Sequence, residues 1–305
     1  CIGKPSTIPV HPTGPYLQNS MTLMVEAQED LQPRSLLPCH RLDRCTSGLT
    51  ICCTNPAVAR LVQIQMDKKM VEKSYLARVK GMFPTSVEEV KKATDHFQGF
   101  SNWSMAEETI EIDAPISVDD VMKGLRAVNE NGKEARSRFT ALAYDSESDT
   151  SLVLCSPLTG RQHQLRVHLQ FIGFPICNDT LYGGTQDATI KDDQKKASLN
   201  ALSNIIVNDL SVENEDIGIT KEVICAAKET CLVCQGKAED AFSSSQLLVD
   251  GHSIDLHAFR YRINFGKKKQ EGVCKEIIGA VECKILHLPD WTNLFPYESI
   301  AKALN

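Results

Sequence analysis

The chain has no run of 18 apolar residues, so the sequence proposes no membrane-spanning helix. Its 12 cysteines in 305 residues fall far below the density of a disulfide scaffold and show no regular framework spacing. A reducing intracellular compartment is therefore expected, with the organelle left open. Neither an initiator Met nor a signal-peptide pattern stands at the start, CIGKPSTIPVHPTG, which reads as interior sequence with an N-terminal segment missing. There is no internal repeat. Regular strand–helix–strand alternation is also absent, which disfavours a doubly wound parallel sheet. The net charge of −6 lacks the positive excess that a phosphate-bearing partner calls for.

What is present changes the last of these readings. Residues 31–80 hold nine Lys and Arg against three acids, an excess of +6, whereas residues 185–255 hold thirteen acids against six Lys. The acidity is concentrated in one stretch, and a basic face elsewhere is compatible with the total. Apolar content of 42% and charged content of 24% are those of a globular protein. Asn55-Pro56 opens a helical pattern over 55–70, with Val58, Leu61, Val62, Gln65 and Met66 on one face. EKSYLARVKGMF alternates as a strand, with Tyr75, Ala77 and Val79 opposite Leu76 and Arg78. LTICCT, ETIEIDAPI, EARSRFTALAY, TSLVLCSPL, SIDLHAFRYRINF and AVECKILHL also read as strands, and a short helix ends the chain. GRQHQLRVHLQFIG reads as a helix closed by Gly173. Residues from about 184 to 250, polar and poor in aromatics, read as an acidic insertion with two helical stretches.

Two clusters have the density of reactive groups. LPCHRLDRCTSGLTICC packs His40, Arg41, Asp43 and Arg44 against an apolar run. By itself HRLD is equally a loop with a surface ion pair of little worth. In GRQHQLRVHL, helical spacing sets Arg161 near Gln164 and Leu165, and Gln164 near His168, so one face offers several hydrogen-bond donors. A solvated polar face is the plainer alternative.

Taken together the segments resemble the RluA-type pseudouridine synthases. HRLDRCTSGLTI resembles the family's catalytic-Asp signature, and GRQHQLRVHLQFIGFPICNDTLYG its second signature. KSYLARVKG resembles the Tyr-bearing strand, and KPSTIPVHPTG, IEIDAPI and NGKEARSRF follow the family order. The resemblance covers residues 4–184 and 254–291, and CLVCQG with LHAFRY places it in a eukaryotic branch, some of whose members modify tRNA. It implies a mixed α/β (α+β) fold: a long, largely antiparallel mixed sheet with flanking helices and a central catalytic cleft. One catalytic domain over 1–305, interrupted by the acidic insertion, is expected. The resemblance also implies that Asp43 is the catalytic carboxylate, Arg166 its partner, and Tyr75 the ring that stacks on uracil and is a candidate to take the C5 proton. Arg41 would fill the space left by a flipped base, with His40, Arg44, Arg161, His163, Gln164 and His168 as RNA-binding residues. Thr46, Ser47 and Gly48 shape the turn that presents Asp43. The implied partner is RNA, expected to be tRNA. No cofactor is implied, no membrane association is expected, and a monomer is.

Some features stand outside this reading. Cys225, Cys231 and Cys234, with His252 or His257, make only a weak zinc signal, because one Cys-x-x-Cys lacks a second pair. No metal requirement is expected. His11 reads as part of a turn beside the cleft, Cys52 and Cys53 as small buried groups, and Trp103 as a local anchor. Two other functions remain open on sequence alone: an RNA-folding protein using the same cleft without chemistry, and a hydrolase using Asp43 with a His.

Overall fold

The computed structural model describes residues 1–13, 16, 19–86, 88–89, 103–106, 108–120, 124–184, 253–264, 280–284 and 288–304. Within them the strands, in chain order, are β1 (Ile2–Lys4), β2 (Leu37–Pro38), β3 (Ser47–Thr50), β4 (Cys52–Cys53), β5 (Val71–Lys80), β6 (Trp103–Ala106), β7 (Thr109–Asp113), β8 (Ile116–Asp120), β9 (Leu125–Val128), β10 (Arg136–Asp145), β11 (Thr150–Pro157), β12 (Leu256–Asn264) and β13 (Ala280–Lys284). The helices are α1 (Met21–Gln28), α2 (Pro56–Asp67), α3 (Gln164–Phe171) and α4 (Tyr297–Leu304). The acidic stretch with its two expected helices lies outside the described residues, as do Cys225, Cys231, Cys234 and His252. His257 lies on β12, where its Nδ1 is 2.9 Å from the Ser47 hydroxyl.

Nine of the strands form one sheet in the order β1-β3-β12-β5-β11-β10-β7-β6, with β13 also paired to β12. Every pairing in it is antiparallel except β3 with β12. This is the mixed, largely antiparallel sheet that the family resemblance implies. The centre is β5, whose alternation places Tyr75, Ala77 and Val79 in one hydrophobic cluster and Leu76 in another. Both faces are covered. Leu76, Leu152 and Phe259 pack beneath Ile300 and Ala303 of α4, while Leu61 and Val62 of α2 and Leu165 and Leu169 of α3 cover the opposite face. The second face carries the cleft.

Local chemistry accounts for the helix ends. The Asn55 carboxamide oxygen accepts the N–H groups of Ala57 (2.9 Å) and Val58 (3.3 Å), with Pro56 in the first turn where no N–H is needed. The apolar run 49–54 does not form one strand: it divides at Ile51 into β3, in the large sheet, and β4, paired with β2. The second-signature helix is shorter than its pattern suggests. It starts at Gln164, so Arg161 precedes it and the helical adjacency of Arg161 with Leu165 is not formed. Gln164 holds that start with all four of its hydrogen-bonding positions. Its oxygen accepts from the Thr159 hydroxyl (2.7 Å) and the Arg161 N–H (2.9 Å), and its amide donates to the Arg136 carbonyl (2.8 Å) and Ser137 Oγ (2.9 Å).

His168 corrects one expectation. It does not face RNA but is fully buried, with Nε2 2.9 Å from the Ala114 carbonyl and Nδ1 3.0 Å from Ser137 Oγ, so both ring nitrogens are occupied by the core. Burial lowers its pKa from 6.5 to about 4. A base depressed in the folded state takes its proton more readily when unfolded, so stability is intact above about pH 6.5 and falls as pH drops towards 4. His168→Gln can still donate to Ala114 and accept from Ser137. It is expected to shrink the stability lost between pH 7 and pH 4.5 by roughly 2 kcal/mol. Urea denaturation at the two pH values reads this directly, and equal acid losses in both proteins would exonerate His168.

Candidate active site

Asp43 is presented by the turn between β2 and β3, closed by the Thr46 N–H donating to the Asp43 carbonyl at 3.1 Å. Three anchors hold this turn. Gly48 has φ +118°, a conformation that strains any side chain, and a Cβ there would lie 2.1 Å from the Ala258 carbonyl oxygen. Only glycine lets β3 come this close to β12. Lys4, buried on β1, donates all three ammonium protons to carbonyls: Pro5 (2.7 Å), Ile8 (2.8 Å) and Arg44 (3.1 Å), the last directly after Asp43. Burial lowers its pKa to about 7. His40 Nε2 accepts the Ile51 N–H at 3.0 Å, and its ring packs 4.5 Å from the Tyr261 ring. Burial, reinforced by Lys73, lowers the His40 pKa to about 4, so the ring is a neutral brace.

The cleft beside Asp43 has a volume of about 690 Å³ and brings residues 40–43, the alternate β5 residues Val71, Lys73 and Tyr75, and residues 157–166 together. Tyr75 and Tyr261 lie on its inner wall, their hydroxyls 2.8 Å apart. Burial pushes the Tyr75 phenol up to about 12, so it stays protonated across the neutral range. Asp43, about one-fifth exposed, has Oδ2 3.5 Å from Arg166 Nη1 and Oδ1 4.0 Å from His163 Nε2. Arg166 is itself buried, and its stronger partner is Asp179, reached by Nε at 2.6 Å and Nη2 at 2.8 Å. The Tyr182 ring lies under the guanidinium, 4.8 Å from Cζ to the ring centre.

The other expected RNA-binding positions divide. Arg41, Arg161, His163 and Gln164 line the cleft, with Arg41 exposed at its rim and Arg161 donating from Nε to the Glu134 carbonyl at 2.8 Å. Arg44 does not line it. Its guanidinium lies over the Tyr16 ring (5.4 Å) and helps form a separate cavity of about 270 Å³ with His11, Thr13 and Arg41. Asp179, Tyr182, Tyr261 and the half-buried Lys73 belong to the site without having been singled out from sequence. Asp179 and Tyr182 stood in NDTLYG and Tyr261 in FRYRIN, motifs quoted for their resemblance but carrying no local sign of contact with Asp43. Among the described residues, no group of three His, Cys, Asp or Glu side chains is placed to hold a metal ion.

A carboxylate in a half-sheltered cleft, held by a buried cation beside two aromatic rings, suits chemistry on a planar base joined to a sugar. Residues 1–171 match the family model described as RNA pseudouridylate synthase. The chain belongs to this family, in its RluA-type branch. Among its relatives, RNA pseudouridine synthase 7 of Arabidopsis thaliana is 42% identical over 179 residues, 59% of this chain and 41% of that protein. The tRNA pseudouridine(31) synthase of Saccharomyces cerevisiae is 39% identical over 181 residues, 59% of this chain and 43% of that protein. The match thus spans less than half the length of either relative. The structure of human RNA Pseudouridylate Synthase Domain Containing 1 superposes with a TM-score of 0.53 at 17% identity, over 99% of this chain and 89% of that one, which shows the shared fold.

The Arg166–Asp179 pair yields a test independent of turnover. Asp179→Asn leaves a buried guanidinium with only the more distant Asp43 as counter-charge. It should cost about 3–5 kcal/mol of unfolding free energy. Chemical denaturation of the purified variant measures it, and a loss below 1 kcal/mol would mean that Arg166 does not depend on Asp179.

Proposed function

We propose that this protein isomerises uridine to pseudouridine in RNA, with Asp43 as the catalytic carboxylate. The observation that carries the reading is the Asp43–Arg166 pair at the wall of a cleft that also holds Tyr75. In the reaction the C1′–N1 bond breaks, the uracil turns, and C1′ joins C5. The C5 proton leaves and N1 gains one, so no redox partner or group donor is needed. Asp43 acts either by attacking C1′ or by removing the 2′ proton to give a glycal. Arg166 sets its positive charge beside Asp43 Oδ2 in the sheltered cleft.

The Tyr75 ring packs against the uracil. A phenol held protonated up to about pH 12 is no ready base, so stacking rather than taking the C5 proton is the role the site supports for it. A base within folded RNA must leave its stack to enter such a cleft, and Arg41 at the rim is placed to fill the vacated position. We take tRNA as the substrate class, on the similarity to a yeast protein named as a tRNA pseudouridine synthase.

Asp43→Asn tests the assignment. Arg166 keeps Asp179 in this variant, so the fold should persist. Release of tritium from C5-labelled uridine in tRNA transcripts should fall below detection. RNA affinity should stay within about threefold, because binding rests on phosphate contacts and stacking. Retained turnover would end the mechanism, and wild-type protein that binds its RNA without ever releasing label would favour an RNA-folding role.

The cleft rim also makes a prediction about salt. Arg41, Lys69, Lys73 and Arg161 line it. If three or four of them meet phosphates, log K for tRNA should fall against log salt concentration with a slope of roughly −3. Binding measured across a salt series checks this, and a flat line would detach these residues from the RNA backbone.

A further inference from the structure

Arg166 engages one oxygen of the Asp43 carboxylate, Oδ2, and the other faces His163. The way His163 is held is informative. It is the residue before α3 and has φ 59° and ψ 17°, a left-handed conformation uncommon for a side chain of its size. Its Nδ1 is 2.8 Å from the Tyr182 hydroxyl, and the two rings meet edge to face at 5.6 Å. That hydroxyl also accepts the backbone N–H of Arg126, on β9, at 3.1 Å. With one lone pair so used, the tyrosine proton has His163 Nδ1 as the acceptor that the described residues offer it. An Nδ1 that accepts leaves the ring proton on Nε2, the nitrogen pointing at Asp43.

We propose that His163 is a positioning residue for Asp43: Tyr182 holds it as the Nε2–H tautomer, and that N–H is donated to Asp43 Oδ1 when RNA fills the cleft. The inference rests on Asp43 being the catalytic carboxylate. The 4.0 Å separation is longer than a hydrogen bond, as is common for catalytic contacts before substrate tightens them. With Arg166 on Oδ2 and His163 on Oδ1, the carboxylate is fixed in rotation as well as in charge, so one lone pair is aimed at the sugar. The neutral ring suffices for this role. Its burial and the neighbouring Arg166 and Arg126 oppose protonation, whereas Asp43 and Asp179 favour it. Tyr182, from NDTLYG, thus serves twice: its ring lies under Arg166 and its hydroxyl sets the tautomer of His163. The backbone N–H of the β8–β9 hairpin fixes that hydroxyl in turn.

Tyr182→Phe keeps the ring, its packing and its contact with Arg166, and removes only the hydroxyl. Long-range proton–nitrogen correlation spectra of histidine-labelled protein, with His163 assigned by its absence in His163→Gln, should show the Nε2–H tautomer in wild type. In Tyr182→Phe they should show its loss or mixture with Nδ1–H. Tyr182→Phe and His163→Ala should each lower kcat about 10- to 100-fold, the worth of one hydrogen bond to a charged group, with KM within about threefold. His163→Gln, whose amide can still donate, should recover most of that loss. A wild-type Nδ1–H tautomer would overturn the proposal. So would a raised KM with kcat intact, which would make His163 an RNA contact instead. If Asp43→Asn retains turnover, it is the assignment of Asp43 that fails, and the tautomer measurement remains interpretable on its own.

Discussion

One buried guanidinium shared between two carboxylates is the constraint on which the site depends. Arg166 could not stay charged at 4% exposure without compensation, and Asp179, at 1%, supplies it through two short parallel hydrogen bonds. That leaves Nη1 turned towards Asp43, so the cation faces a second carboxylate without being saturated by the first. Asp179 is fixed by its own neighbours. Asn178, at φ 65°, sends its amide to both oxygens of Asp255 (3.1 and 3.2 Å), and Asp255 is gripped by Arg78 at 2.6 and 2.7 Å. At Gly184 a Cβ would lie 2.1 Å from the Ile176 carbonyl oxygen, so the loop closes on itself through glycine. A line of polar contacts therefore runs from the cleft through the loop after α3 and into the two central strands.

The sheet separates the cleft face from the supporting face by strand parity along β5 and by a register shift along β12. Tyr75 and Tyr261 look into the cleft, while Leu76, next to Tyr75 on β5, and Phe259, at the irregularity between Ala258 and Arg260 of β12, are sealed beneath α4. A slip of one residue in either strand would exchange those sets, exposing an aliphatic wall and burying two phenols. The covering of the far face is therefore also what keeps the cleft face in register.

Much of this was legible locally. The alternation over 71–80 and the spacing over 55–70 each report a periodicity that the packing obeys, and Leu61, Val62 and Gln65 are buried on the expected face. A central cleft was expected from the family resemblance, and the cleft found is lined by Arg41, Asp43, Tyr75 and Arg166, whereas Arg44 and His168 lie outside it. What was not legible depends on contacts between distant residues. Nothing in GRQHQLRVHL distinguishes His163, open to the cleft, from His168, enclosed by Ala114 and Ser137. The difference arises because helix α3 begins late, with Gln164 stitched to Arg136 and Ser137 across the sheet. Likewise LTICCT carries an uninterrupted strand pattern, and it divides at Ile51 because Leu49 and Thr50 pair with β1 whereas Cys52 and Cys53 pair with β2.

The position of β12 bears on how the molecule is built in time. It is inserted between β3 and β5, and those two strands have no other connection within the sheet. Yet β12 begins at residue 256, whereas the segment bearing Asp43 and the one bearing Arg166 are complete by residue 171. As the chain emerges from a ribosome, Asp43 and Arg166 are both present well before the strand inserted between β3 and β5. The glycine at 48 waits for an alanine backbone some two hundred residues later. Such long-range pairing makes assembly slow relative to local helix formation, although the closure cost grows only weakly with the intervening length. The cleft is thus completed only when β12 has been made, so a nascent chain carries both Asp43 and Arg166 before it carries the sheet that holds them together.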